Sequence, residues 1–113
     1  MKFYLPLLFL LLFASGCTYE DRVVIDTATI SASAPYTVTV TGITDGCIAP
    51  IQTRTAQSGS QIDITVYRML ERGEPCPEIA MFVEQVIPLP AGFDPSTDGV
   101  SVNGVVATQN SAP

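Results

Sequence analysis

The sequence contains no histidine and no tryptophan, and its one lysine is Lys2. Without imidazole there is no Ser-His-Asp or Cys-His nucleophile pair and no histidine-built metal centre. The three cysteines, Cys17, Cys47 and Cys76, nowhere form a Cys-x-x-Cys spacing, so a redox motif or zinc ribbon is not expected. Charge is sparse, at 14% of residues, and one-sided: eleven carboxylates against Lys2 and four arginines give a net −6. Such a surface is repelled by phosphate backbones, which argues against nucleic acid as a partner. Apolar runs are short. The longest, Phe3 to Phe13, is interrupted by Pro6 and falls well below the roughly 20 residues that span a hydrocarbon core. No Ser/Gly-rich or Pro-rich linker divides the 113 residues, which read as a leader and one small domain.

What is present begins with that leader, MKFYLPLLFLLLFASGC. Lys2 precedes the apolar run, and the small residues Ala14, Ser15 and Gly16 stand directly before Cys17. The run has the length of a signal-peptide core. It resembles a bacterial lipoprotein signal peptide ending in a lipobox, Ala14-Ser15-Gly16-Cys17, with alanine where leucine is commonest. The resemblance implies diacylglycerol on the Cys17 sulfur, cleavage before Cys17 and acylation of the new amino terminus. Two or more acyl chains make a stable anchor. The lipid bilayer is thus the expected partner, through Cys17, and the domain is exported to the periplasm or cell surface. In a Gram-negative cell the outer membrane is expected, because Thr18 and not aspartate follows the cysteine. The division predicted is signal peptide 1–16, anchored cysteine and polar tether 17–22, domain 23–109 and flexible tail 110–113. Four or five tether residues reach at most about 17 Å.

With Cys17 assigned to lipid, Cys47 and Cys76 remain as an even pair in an oxidising compartment, and one disulfide is expected. Its loop of about 30 residues corresponds to roughly 3–4 kcal/mol of stabilisation. From Cys17 onward there are 97 residues, four arginines and eleven carboxylates, a net −7.

The domain reads as strands. Val23 to Ile30 is rich in β-branched residues and ends before Pro35. Tyr36-Thr-Val-Thr-Val-Thr41 alternates cleanly, with Tyr36, Val38 and Val40 on one face and three threonines on the other. Cys47 to Thr55 is a third strand, placed at an edge or bulge by Pro50. Gln61 to Tyr67 points Ile62, Ile64 and Val66 inward. Ile79 to Leu89 reads as a strand among strand neighbours. Val100 to Val106 is a hairpin about Asn103-Gly104, the pair that suits a type I′ turn. Six or seven short strands with frequent turns define an all-β, antiparallel β-sandwich with one disulfide. The Tyr-Thr-Val-Thr-Val strand, the Cys47/Cys76 pair and the Val-Ser-Val-Asn-Gly hairpin resemble small immunoglobulin-like or fibronectin-type-III-like domains of bacterial envelope proteins. The tryptophan packed on the antibody-type disulfide is absent.

Few residues offer chemistry. Glu71, Glu74 and Glu78 crowd one loop, and two carboxyls about 5–10 Å apart can hydrolyse a glycoside; the plainer reading is a solvated loop. Asp94-Pro-Ser-Thr-Asp-Gly99 resembles the front half of an EF-hand calcium loop, with Asp94, Ser96 and Asp98 as weak candidate ligands. Pro95 and the non-acidic Val105 depart from that pattern, and the plainer reading is a polar turn. Tyr19, Tyr36, Tyr67, Phe82 and Phe93 are scattered and read mostly as core, without the exposed platform a sugar would stack on. The expectation is a non-enzymatic, lipid-anchored structural or interaction module, with no cofactor and an envelope protein as a second partner. The alternatives are a domain binding carbohydrate or calcium and a protease inhibitor presenting the Glu71–Glu78 loop.

Overall fold

The computed structural model describes residues 17–109. The expected signal peptide, 1–16, and tail, 110–113, lie outside the described residues. The rest is all-β: β1 (Thr18–Arg22), β2 (Val24–Ile30), β3 (Thr37–Thr44), β4 (Gln52–Ser58), β5 (Gln61–Glu71), β6 (Met81–Pro88), β7 (Gly99–Val102), β8 (Val105–Val106) and β9 (Thr108–Gln109). Strands β1, β4, β5, β7 and β8 form one sheet; the other runs β6-β3-β2-β9. The two sheets pack over a core of Ile62, Ile64, Val66, Val100 and Val102 from the first and Ala28, Ile30, Val38, Val40, Val83 and Ile87 from the second. The period-2 alternation drives this directly. Val38 and Val40 are buried on the inner face, while Thr37, Thr39 and Thr41 lie half-buried on the outer one.

Four expectations are corrected. The sheets are mixed and not strictly antiparallel, because β7 lies parallel to β5 and β9 parallel to β2. Alternation fixes which face of a strand is buried, not which neighbour it takes. The strands number nine among the described residues, three of them short. The polar stretch expected as a tether is β1, paired with β5 from Thr18↔Glu71 to Arg22↔Tyr67, so the ordered domain begins at Thr18. The third strand starts at Gln52 and not at Cys47. Pro50 lacks an N–H to donate, and the Cys47 carbonyl is taken by the Arg68 guanidinium. Strand β4 is then exposed on both faces.

Both ends of the described chain cross from one sheet to the other. Val23, 2% exposed, links β1 to β2, and its N–H donates to the Val66 carbonyl at 3.1 Å. Gly42 permits that crossing: a Cβ there would sit 2.5 Å from the Val24 carbonyl oxygen and 2.9 Å from Val23 Cγ1. Ala107 links β8 to β9, with its N–H on the Val100 carbonyl. These crossings close the flank where β2 meets β7 and β8. On the opposite flank stand β4 and β6, each with a single neighbouring strand among the described residues.

Asn103 (φ 49°) and Gly104 (φ 84°) both adopt left-handed backbone, as a type I′ hairpin requires. Asn103 does more than turn the chain. Its Oδ1 accepts the Val66 N–H at 2.9 Å, and its Nδ2 donates to the carbonyls of Val23 at 2.8 Å and Val66 at 2.9 Å.

Candidate functional site

The expected Cys47–Cys76 disulfide is present, with a Cα separation of 4.7 Å. It ties the β3–β4 connection to the proline-flanked loop before β6. The Gly46 N–H donates to the Pro77 carbonyl at 2.9 Å alongside it.

Beneath the disulfide lies a charge that the sequence reading missed. Arg68 occupies an inward position of β5, in the series Ile62, Ile64, Val66, Arg68, Leu70, and is 2% exposed. Buried guanidinium groups require partners, and two segments, β1 and the β3–β4 connection, supply three of them. Nε donates to Asp21 Oδ2 of β1 at 2.8 Å, and one terminal nitrogen donates to the Cys47 carbonyl at 2.7 Å. The other donates to Asp45 Oδ1, which also accepts the Cys47 N–H at 3.0 Å. Burial opposes the charge on Arg68, but its hydrogen bonds to Asp21 and Asp45 outweigh it, and its pKa is raised. Asp45 is held below the ordinary carboxylate value, first by Arg68 and then by the Cys47 N–H. A signal for this knot was available: alternation continues through Arg68 to Leu70, so the arginine had to face inward.

Two grooves flank the knot. One, of about 510 Å³, lies where β1 gives way to β2 and is walled by Asp21, Val24, Ile43, Asp45 and Ile79. The other, of about 230 Å³, lies on the β6 flank and is walled by Ile48, Ala49, Ile51, Met81, Phe82 and Val83.

The remaining candidates fall elsewhere. Glu71 ends β5, Glu74 follows the turn after it, and Glu78 lines the larger groove; all three are exposed. Asp94, Ser96 and Asp98 are brought together as a self-capped turn. Asp94 Oδ1 accepts the Ser96 N–H at 3.0 Å and the Ser96 hydroxyl at 2.7 Å, which lowers the Asp94 pKa. Asp98 Oδ2 accepts the Asp94 N–H at 3.0 Å. Among the described residues, Asp45, Cys47 and Cys76 form a close three-residue group of potential metal ligands, but there the two sulfurs are bonded to each other. Of the five aromatics expected mostly in the core, Phe93 is buried and packs edge to face with Tyr36 at 5.4 Å and Tyr67 lies under Arg54 at 4.8 Å, but Tyr19 and Phe82 are exposed. Cys17 is exposed at the head of β1, and its carbonyl accepts the Arg72 N–H at 2.9 Å.

Fold and site together define a small, disulfide-stapled all-β sandwich of mixed sheets with a buried arginine knot. Compared with protein families, curated proteins and solved structures, the chain matches none.

Proposed function

We propose that this chain is a lipid-anchored envelope protein, acylated at Cys17, whose immunoglobulin-like sandwich is a non-enzymatic structural or interaction module. The observation that carries the reading is the Ala14-Ser15-Gly16-Cys17 end of a short apolar leader. Support comes from the exposure of Cys17 at the start of the first strand, where a peptidase and an acyltransferase can reach it. With β1 paired along β5, the anchor attaches to the domain with almost no tether, so the domain rests against the bilayer. The absence of histidine from the sequence removes the commonest general base. In a Gram-negative cell the residue after the anchor, Thr18, directs the protein to the outer membrane.

The test is Cys17→Ser expressed beside the native chain, with metabolic labelling by a fatty acid and detergent phase separation. The native chain takes label and enters the detergent phase; the variant does neither. A processed Cys17→Ser protein that still follows the detergent overturns the anchor. Recovery of the native protein only from inner membranes overturns the location.

A further inference from the structure

The second sheet ends at β6, which has β3 on one side and no strand on the other among the described residues. The direction of its backbone groups follows from two hydrogen bonds. The Leu89 N–H donates to the Tyr36 carbonyl, and the Ser31 N–H donates to the Thr37 carbonyl. Bonded and non-bonded pairs alternate along an antiparallel ladder. With the unbroken β3–β6 register, the first bond turns Met81, Val83, Gln85 and Ile87 toward β3. The second agrees, since it turns the odd-numbered residues of β3 toward β2. The N–H and C=O groups of Phe82, Glu84 and Val86 therefore point out of the sheet.

Natural edges of this kind are blunted by lysine, proline, a bulge or brevity. Strand β6 is eight residues long, contains no lysine, runs without a bulge and meets proline only at its last position, Pro88. The edge strand on the same flank, β4, is polar apart from Ala56. By contrast β6 exposes Met81, Phe82 and Val86, the last two at 72% and 60%. The 230 Å³ groove borders its first half, with Ile48 fully exposed at the rim.

We propose that β6 is a strand-addition site, where an extended segment of a partner protein pairs as a fifth strand and sends an apolar side chain into the Ile48–Ile51 groove. The outward row of alternating donors and acceptors specifies the occupant, because an extended backbone matches it at strand spacing and lipid does not. Glu84, at the middle of the row, selects a partner residue that is basic or neutral beside it. A second copy fits less well. Pairing β6 with itself about Glu84 opposes two carboxylates, and any antiparallel register turns the second copy's Cys17 end away from the first. The inference rests on the interaction-module reading above and not on acylation of Cys17.

The test is amide exchange on the full chain in detergent, with a short synthetic peptide alternating valine and threonine about a central lysine. Saturating peptide slows exchange at Phe82, Glu84 and Val86 by roughly tenfold or more and leaves Gln52 to Ser58 unchanged. Glu84→Pro removes the central outward N–H without touching a β3 bond, and weakens binding by about tenfold or more. Glu84→Lys keeps the backbone and serves if the proline variant does not fold; it reverses the preference, toward a peptide with a central glutamate. Three results overturn the proposal: no saturable protection at β6, protection at β4, or protection at β6 that grows with concentration of the chain alone. Cross-linking in intact cells separates the two readings. A partner joined through another surface, with β6 unprotected by peptide, leaves the interaction module standing and removes this site; neither partner nor protection removes both.

Discussion

Arg68 and Asn103 are the two residues on which the packing turns, and both work through hydrogen bonds to segments far away in sequence. For Arg68 the consequence of removing the arginine differs from that of removing its partners. Arg68→Met strips one bond from the Cys47 carbonyl, but Asp21 and Asp45 are about a third and 44% exposed and can return to water. The expected cost is about 1–3 kcal/mol, that of a carbonyl left unsatisfied. Asp21→Asn with Asp45→Asn leaves a guanidinium that is 2% exposed without a counter-charge, and breaking a buried pair in that way costs about 3–5 kcal/mol. Urea unfolding should therefore rank the double variant below Arg68→Met, and the opposite order would contradict the description of Arg68 as a desolvated cation. At Asn103 the backbone and the side chain separate cleanly. Asn103→Gly keeps the left-handed turn and loses three hydrogen bonds, for about 2–4 kcal/mol. Asn103→Asp sets a carboxylate against the Val23 and Val66 carbonyls, and its unfolding midpoint should fall lower still. By comparison, the Glu20 pairs with Arg22 and Arg54 are exposed and contribute little.

At the scale of strands and loops, the positions of elements were legible because burial imposes its period on the chain. Ile62, Ile64 and Val66 face inward as their alternation requires, and Asn103-Gly104 turns as its backbone preference requires. Strand order was not legible. The parallel placement of β7 beside β5 depends on where Val23 and Ala107 cross between sheets, and nothing local in the sequence marks those crossings. β1 was hidden for a related reason: Thr18 to Arg22 is polar because it lies at a largely exposed margin of its sheet, so it carries no hydrophobic period. Of the site, the disulfide was readable from cysteine arithmetic, while the knot beneath it required knowing that β5 continues past Tyr67. That continuation makes the disulfide a clamp on the knot, since Cys47 supplies both a carbonyl to Arg68 and an N–H to Asp45. Reduction should remove roughly 3–4 kcal/mol, the loop-entropy value for a separation of 29 residues. Thermal melts with and without reductant should show a drop that Cys47→Ser with Cys76→Ser reproduces. Equal melting temperatures would mean that the clamp adds nothing to the hydrogen bonds.

For the whole molecule, the one-sided charge and the missing imidazole together set the response to pH. Glu20, Asp45, Asp63 and Asp94 all have pKa values lowered by the fold, through Arg54, Arg68, Ser101 and Ser96 respectively as the leading partners. A lowered folded value means that the charged carboxylate is the form the native state favours. Its contribution is complete above the ordinary carboxylate pKa, near 4, and is lost as pH falls through the lower folded value. With no histidine, no side chain of ordinary pKa titrates between pH 5 and 8. Stability should therefore be flat across about pH 5.5–8 and decline below about pH 4. An opposing effect exists, because protonating eleven carboxylates relieves the self-repulsion of a chain with net charge −7 from Cys17 onward. Were repulsion dominant, stability would climb as pH drops from 7 toward 4. The specific bonds should prevail, because the acidic groups are spread over both sheets and long-range repulsion is screened beyond about 8 Å at physiological salt. Urea midpoints at constant ionic strength decide between them, and Asp45→Asn should flatten the acid limb by removing the carboxylate that Arg68 holds. A steady rise in midpoint from pH 7 to 4.5 would show that net charge governs this domain and that the knot is electrostatically incidental.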